Sequence, residues 1–140
     1  MILIDTNVFM YVAGTDHPHR ASSLALLEQV ARGRLDAAID AEVLQEILHR
    51  YRAIGRWDDG RRVYDLVRKV VPDVIEVDGL LLDRARALMD RHPGLLARDA
   101  VHAAAVLEIG ADALCTWDQD FQAVDEIRSL NPASLLSELS

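Results

Sequence analysis

The chain has 140 residues, 51% of them apolar and 5% aromatic, and carries a formal charge of −8. That length makes one domain, spanning 1–140, with a substantial aliphatic core, and the charge argues against a protein that coats nucleic acid while leaving room for a local basic patch. A single cysteine, Cys115, excludes an internal disulfide and a Cys-type metal site. No apolar run is long enough to span a bilayer and the N-terminus leads directly into a strand, so a cytoplasmic protein without membrane contact is expected.

Strand-like and helix-like segments alternate. Residues 2–5 predict a short buried strand, and Thr6 to Ala13 a short helix stopped at Gly14. After the loop Asp16-His17-Pro18-His19, a helix is expected over about 19–32, with Leu24, Leu27, Val30 and Ala31 on one face and Gly33 as its stop. Ala37-Ala38-Ile39 reads as the second strand. Asp40 caps the next helix, whose stripe is Leu44, Ile47, Leu48 and Tyr51, and Gly55 ends it. A further helix runs from Asp58 to Val71 and stops at Pro72.

Val74-Ile75-Glu76-Val77 is the third expected strand, followed by a helix over about 80–92 with Leu81, Leu82, Ala85, Leu88 and Met89 inward. His92-Pro93-Gly94 is a break, and an Ala-rich helix opens at Asp99 and ends at Gly110, its small side chains suited to close packing on a sheet. The fourth strand is 113–116, a weak fifth lies near Ile127-Arg128, and Pro132 starts a terminal helix. This alternation predicts a three-layer α/β/α domain with a central, mainly parallel sheet of four to five strands.

Four carboxylates stand at the predicted boundaries. Asp5 and Asp118 follow the C-terminal ends of short strands, the edge of an open parallel sheet where sites form. Asp99 opens a helix, where the dipole favours negative charge, and Glu46 lies one turn beyond Glu42. Acids brought together without cations repel, and a hard divalent cation such as Mg²⁺ relieves them. An acidic pocket of this kind suits the chemistry of phosphate esters.

Four segments carry a family resemblance: Ile-Asp-Thr-Asn-Val at 4–8, Val43-Leu44-Gln45-Glu46, Ala97 to Ala104 (Ala-Arg-Asp-Ala-Val-His-Ala-Ala), and Thr116-Trp117-Asp118-Gln119-Asp120-Phe121. In order and spacing they resemble a PIN domain, particularly a VapC-type toxin, over essentially the whole chain. The resemblance implies an α/β/α fold, Mg²⁺- or Mn²⁺-dependent endoribonuclease activity on an RNA substrate, and a paired antitoxin protein that blocks the site. By the same resemblance Asp5 and Asp99 match the principal metal-binding acids, Glu46 the conserved glutamate, and Asp118 the acid of the Thr-x-Asp segment, which joins them at the metal. Asp120 matches a less constant acid, and Asn7 and Thr116 match polar residues that support the metal-binding acids by hydrogen bonds. Domains of this kind often dimerise, and a homodimer is expected.

Each residue also has a plainer role open to it. Asp5 can simply cap a helix, Asp99 can be a first-turn charge, Asp118 and Asp120 can form turns, and Glu46 can pair with Arg50 on a solvated face. Glu42 shares that face, and only the family pattern selects Glu46. His17 and His19 read as surface residues, His102 as a packing residue near the site, and Trp117 as a base-stacking group or as packing under its loop. Segment 49–69 holds seven basic residues, Arg50, Arg61 and Arg62 among them, against three acidic ones. It reads as an RNA groove, an antitoxin seat or a solvated helix face. A housekeeping RNA-processing nuclease, a phosphohydrolase of the haloacid dehalogenase type and a non-catalytic binding module are the competing functions. The phosphohydrolase type requires a second Asp where this chain has Asn7, and a strand-end lysine where Lys69 falls in a helix.

Overall fold

A computed structural model describes residues 1–140. Its centre is an all-parallel five-stranded sheet. The strands are β1 (Ile2–Ile4), β2 (Ala37–Asp40), β3 (Val74–Ile75), β4 (Ala113–Cys115) and β5 (Ser129–Leu130), in spatial order β3-β2-β1-β4-β5. Seven helices cover it: α1 (Thr6–Ala13), α2 (Arg20–Ala31), α3 (Ala41–Ala53), α4 (Trp57–Val70), α5 (Gly79–Arg91), α6 (Ala97–Ile109) and α7 (Pro132–Leu139). A 3₁₀ turn occupies Gln119–Ala123.

β1, β2 and β4 are buried at every residue, as expected of parallel strands covered on both faces. Successive side chains point to opposite faces, so each strand feeds two cores. Ile2, Ile4, Ile39 and Cys115 pack with Phe9, Leu26, Ile47 and Val67 on one side, while Leu3, Ala38 and Leu114 pack with Leu81, Leu88 and Phe121 on the other. Ala100, Ala103, Ala104 and Ala105 are fully buried, so the small face of α6 lies close against the second core. Asp40, Asp78 and Asn131 cap α3, α5 and α7 by accepting from backbone N–H groups. Gly110, at φ 62°, ends α6 in the left-handed conformation that glycine adopts without cost.

Several boundaries differ from expectation. β3 stops at Ile75 because Ile75 pairs with Asp40, the last residue of β2, beyond which the chain turns into α3 and offers no ladder. β5 lies at Ser129–Leu130 rather than 127–128, in register with Leu114 and Cys115. α6 begins two residues early, which places Asp99 within its first turn rather than at its opening. On α2, Leu26 and Leu27 are buried while Ala31 is exposed. On α5, Leu82 and Met89 face outward, 49% and 37% exposed, and Leu80 is 78% exposed.

Candidate active site

The chain runs from β1 outward to β2 and β3, then crosses back to β4 beside β1. That reversal opens a crevice at the carboxyl ends of β1 and β4, where open α/β sheets place their ligands. Asp5 and Asp118 lie at this edge.

Asp5 is nearly enclosed, 6% exposed. Its Oδ1 accepts from the Thr6 N–H at 2.7 Å, so it does cap α1. Its Oδ2 accepts from the Thr116 hydroxyl at 2.7 Å and from Asn7 Nδ2 at 3.3 Å. Asn7 Nδ2 also reaches Thr116 Oγ1 at 3.2 Å, and Asn7 Oδ1 accepts from the Trp117 N–H at 3.2 Å. Thr116 Oγ1 in turn accepts from the Asp118 N–H at 3.0 Å. Asn7 and Thr116 thereby stitch the end of β1 to the end of β4. With Asn7 committed in this way and Lys69 exposed on α4, the phosphohydrolase arrangement is absent.

Asp99 shows that the acids sense one another. Its carboxyl is pushed up to about 6 by burial first, then by the charges of Asp118, Asp5 and Glu46, against which only His102 gives relief. Glu46 is not paired with Arg50; its Oε1 lies 3.5 Å from Arg98 Nη1, so α6 rather than the next turn of α3 supplies its cation. Glu42 is also raised, by burial and then by Asp40 and Glu46 against the opposing charge of His102. Asp118 Oδ1 accepts from the Asp120 N–H at 2.9 Å. Asp120 is exposed, and with Asp99, Gln119, Leu95, Leu96 and Phe121 it lines a cleft of about 740 Å³.

The polar atoms these acids present are carboxylate oxygens, the donors a hard cation takes and a soft one does not. No three acidic, His or Cys side chains are drawn into a finished cage. Mg²⁺ keeps several of its own waters and needs only one or two carboxylates, so the residues present fit a hydrated hard cation.

Sequence reasoning missed the environment of His102. Its ring is buried, with Nδ1 2.6 Å from Asp40 Oδ2 and Nε2 3.4 Å from Asp5 Oδ1. Burial opposes its charge, but the hydrogen bond to Asp40 and the charges of Asp40, Asp5 and Glu46 win and raise it to about 9. The only signal in the sequence was that His102 lies one helical turn past Asp99. His19 is not a free surface residue either: it stacks on Trp117 at 3.7 Å, and the indole N–H donates to Ser23 Oγ at 2.8 Å, which makes Trp117 part of the packing under its loop.

The basic segment is partly neutralised on its own helix. Arg61 pairs with Asp58 at 3.1 Å, Arg62 with Asp59 at 3.4 Å, and Arg56 with Asp59 at 2.8 Å, all exposed i,i+3 pairs. Arg50 lies elsewhere, lining with Asn7, Met10, Tyr11 and Ile54 a groove of about 390 Å³ that starts at the site.

The PIN domain family model matches residues 2–127. The chain is 37% identical over 130 residues to the ribonuclease VapC13 of Mycobacterium tuberculosis, covering 93% of this chain and 99% of that one. It is 34% identical over 136 residues to the ribonuclease VapC7 of the same organism, covering 94% and 92%. Among solved structures, the fold is similar to VapBC2 from Rickettsia felis bound to a promoter DNA fragment, with TM-score 0.73, 18% identity and coverage of 94% and 98%. It is also similar to FitAcB from Neisseria gonorrhoeae, with TM-score 0.73, 16% identity and coverage of 95% and 99%.

Proposed function

The chain belongs to the PIN-domain family, and from that membership we propose Mg²⁺- or Mn²⁺-dependent cleavage of RNA phosphodiesters at the edge carrying Asp5, Glu46, Asp99 and Asp118. It is a ribonuclease of the VapC kind, the toxin member of a toxin–antitoxin pair, as the names of its relatives and the assemblies among its structural neighbours support. The observation that carries the chemistry is the gathering of the carboxylates: Asp99 is raised to about 6 by burial first and then by the charges of Asp118, Asp5 and Glu46. Such a cluster is unfavourable when empty and becomes favourable around a divalent cation.

Asp5, Asp99 and Asp118 would hold the cation, with Asn7 and Thr116 fixing the Asp5 carboxylate through Oδ2. Glu46, steadied by Arg98, supplies the fourth carboxylate. Asp120 is exposed on the wall of the same cleft as Asp99, open to an RNA strand bound there. Bound there, a divalent cation would acidify a water and offset charge on the phosphate under attack. Arg50, in the groove that Asn7 also lines, and the exposed Arg61 and Arg62 of α4 are candidate contacts for an RNA backbone or an antitoxin. The outward-facing Leu82 and Met89, two turns apart on one flank of α5, suit a symmetric contact between two copies.

Purified protein is expected to cleave RNA when given Mg²⁺ or Mn²⁺ and to stop in EDTA. Ca²⁺, with its longer and looser coordination, is expected to support little turnover. Cleavage that persists through chelation and dialysis would overturn the assignment of the acids to a metal.

A further inference from the structure

His102 is the polar side chain at this edge that the reading above leaves without a task. It is 1% exposed, and the first turns of α6 that bring Asp99 to the cleft carry His102 into the interior. Its two ring nitrogens meet different surroundings. Nδ1 is bonded to Asp40 Oδ2 at 2.6 Å, and Asp40 is itself anchored, its Oδ1 accepting from the Val43 N–H at 3.2 Å to cap α3. A carboxylate only accepts, so this bond puts a hydrogen on Nδ1 and fixes the plane of the ring. Nε2 has no hydrogen-bond partner and lies 3.4 Å from Asp5 Oδ1.

Asp5 needs what that nitrogen can supply. The final torsion of an aspartate side chain is broad, so a carboxylate tied to neighbouring groups can still rock about its Cβ–Cγ bond. The Thr6 N–H, Thr116 hydroxyl and Asn7 amide all come from the chain at the ends of β1 and β4. His102 approaches from α6, the opposing layer, on an oxygen that otherwise has one donor. We propose that His102 is a positioning residue for Asp5: clamped at Nδ1 by Asp40, its Nε2 sets the rotation of the Asp5 carboxylate and hence the direction in which it meets a metal ion. The inference rests on the metal-dependent reading given above. Groups that orient a ligand from behind are typically worth about 10–100-fold in metal affinity.

Two substitutions separate this role from that of a plain strut between β2 and α6. His102→Gln carries its amide nitrogen to about the place of Nε2 and gives up the Asp40 contact. His102→Asn keeps a polar atom near the place of Nδ1 and gives up the reach to Asp5. The readout is Mn²⁺ affinity of the metal-free protein, followed by the EPR signal of unbound Mn²⁺, with no RNA present. Gln is expected to bind within about threefold of the parent, and Asn about 10–100-fold more weakly. An Asn variant that binds like the parent, or a Gln variant that falls as far as Asn, overturns the proposal.

Should neither variant fold, the parent answers by ¹⁵N NMR of its histidine rings on adding Mg²⁺. The Nε2 resonance of His102 is expected to move as Asp5 takes up the ion while Nδ1 stays, and an unmoved Nε2 overturns the role. A parent that binds no Mn²⁺ or Mg²⁺ refutes the metal reading itself, and this inference with it; a parent that binds the ion beside an unaffected Asn variant refutes only the inference.

Discussion

Replacing Asp99 with asparagine should make the metal-free protein more stable at neutral pH. Asp99 is raised from 3.8 to about 6 by burial and by its acidic neighbours. At about 1.4 kcal/mol per tenfold change in proton affinity, that displacement corresponds to ~3 kcal/mol of unfavourable ionisation. The side chain is only half-buried, so solvent screening leaves roughly 1–2 kcal/mol. The folded protein holds this proton more tightly than the unfolded chain, so the parent loses stability as pH rises from about 4 to about 6 and keeps that deficit above it. Asp99→Asn carries no such deficit. The assay is thermal unfolding of both proteins in EDTA by circular dichroism from pH 4 to pH 8. The variant should match the parent near pH 4 and exceed it at pH 7.5 by several degrees, at roughly 2–4 °C per kcal/mol for a domain near this size. Saturating Mg²⁺ should narrow or reverse the gap, since a ligand stabilises only the protein that binds it. A variant no more stable than the parent at pH 7.5, or a difference independent of pH, would refute the mutual repulsion on which the site is built.

Two further substitutions test other parts of the structure. Glu46→Gln should abolish RNA cleavage while Glu42→Gln leaves most of it, because Glu46 is among the charges acting on Asp99; an inactive Glu42→Gln beside an active Glu46→Gln would reverse the choice. Gly60→Ala should destabilise the fold by about 1–3 kcal/mol in urea unfolding, because the added carbon would sit 2.5 Å from Tyr51 Cβ where α4 crosses α3; an unchanged midpoint would mean that the helices separate freely.

The sheet and most helices were legible because their signals are local. Ile2-Leu3-Ile4 and Ala113-Leu114-Cys115 are short apolar runs, and Asp40 and Asn131 cap helices within three residues of themselves. α5 misled because Leu82 and Met89 fit the helical period as well as Leu81 and Leu88 do, and nothing in the period says how wide a stripe the core will cover. The partners of the site residues were hidden for a different reason. His102 and Asp40 are 62 positions apart, and Glu46 takes its cation from α6 rather than from Arg50 in its own helix. Spacing along one helix predicts contacts along that helix only. Asp5, Asp99 and Asp118 stand out by their places at predicted boundaries and the family pattern selects Glu46 over Glu42, whereas the electrostatic coupling of these acids needed the fold.

Asp5 and Thr116 are 111 positions apart, and the strands that carry them are direct neighbours. A pairing so distant in sequence forms late, after the chain between has been made and much of it has collapsed. A ribosome-held nascent chain that has not yet extended through residue 116 lacks Thr116 and Asp118, and its Asp5 has neither the hydroxyl that braces it nor the strand beside it. Synthesis order alone therefore leaves the Asp5 edge of the sheet unfinished until translation of the domain is almost complete.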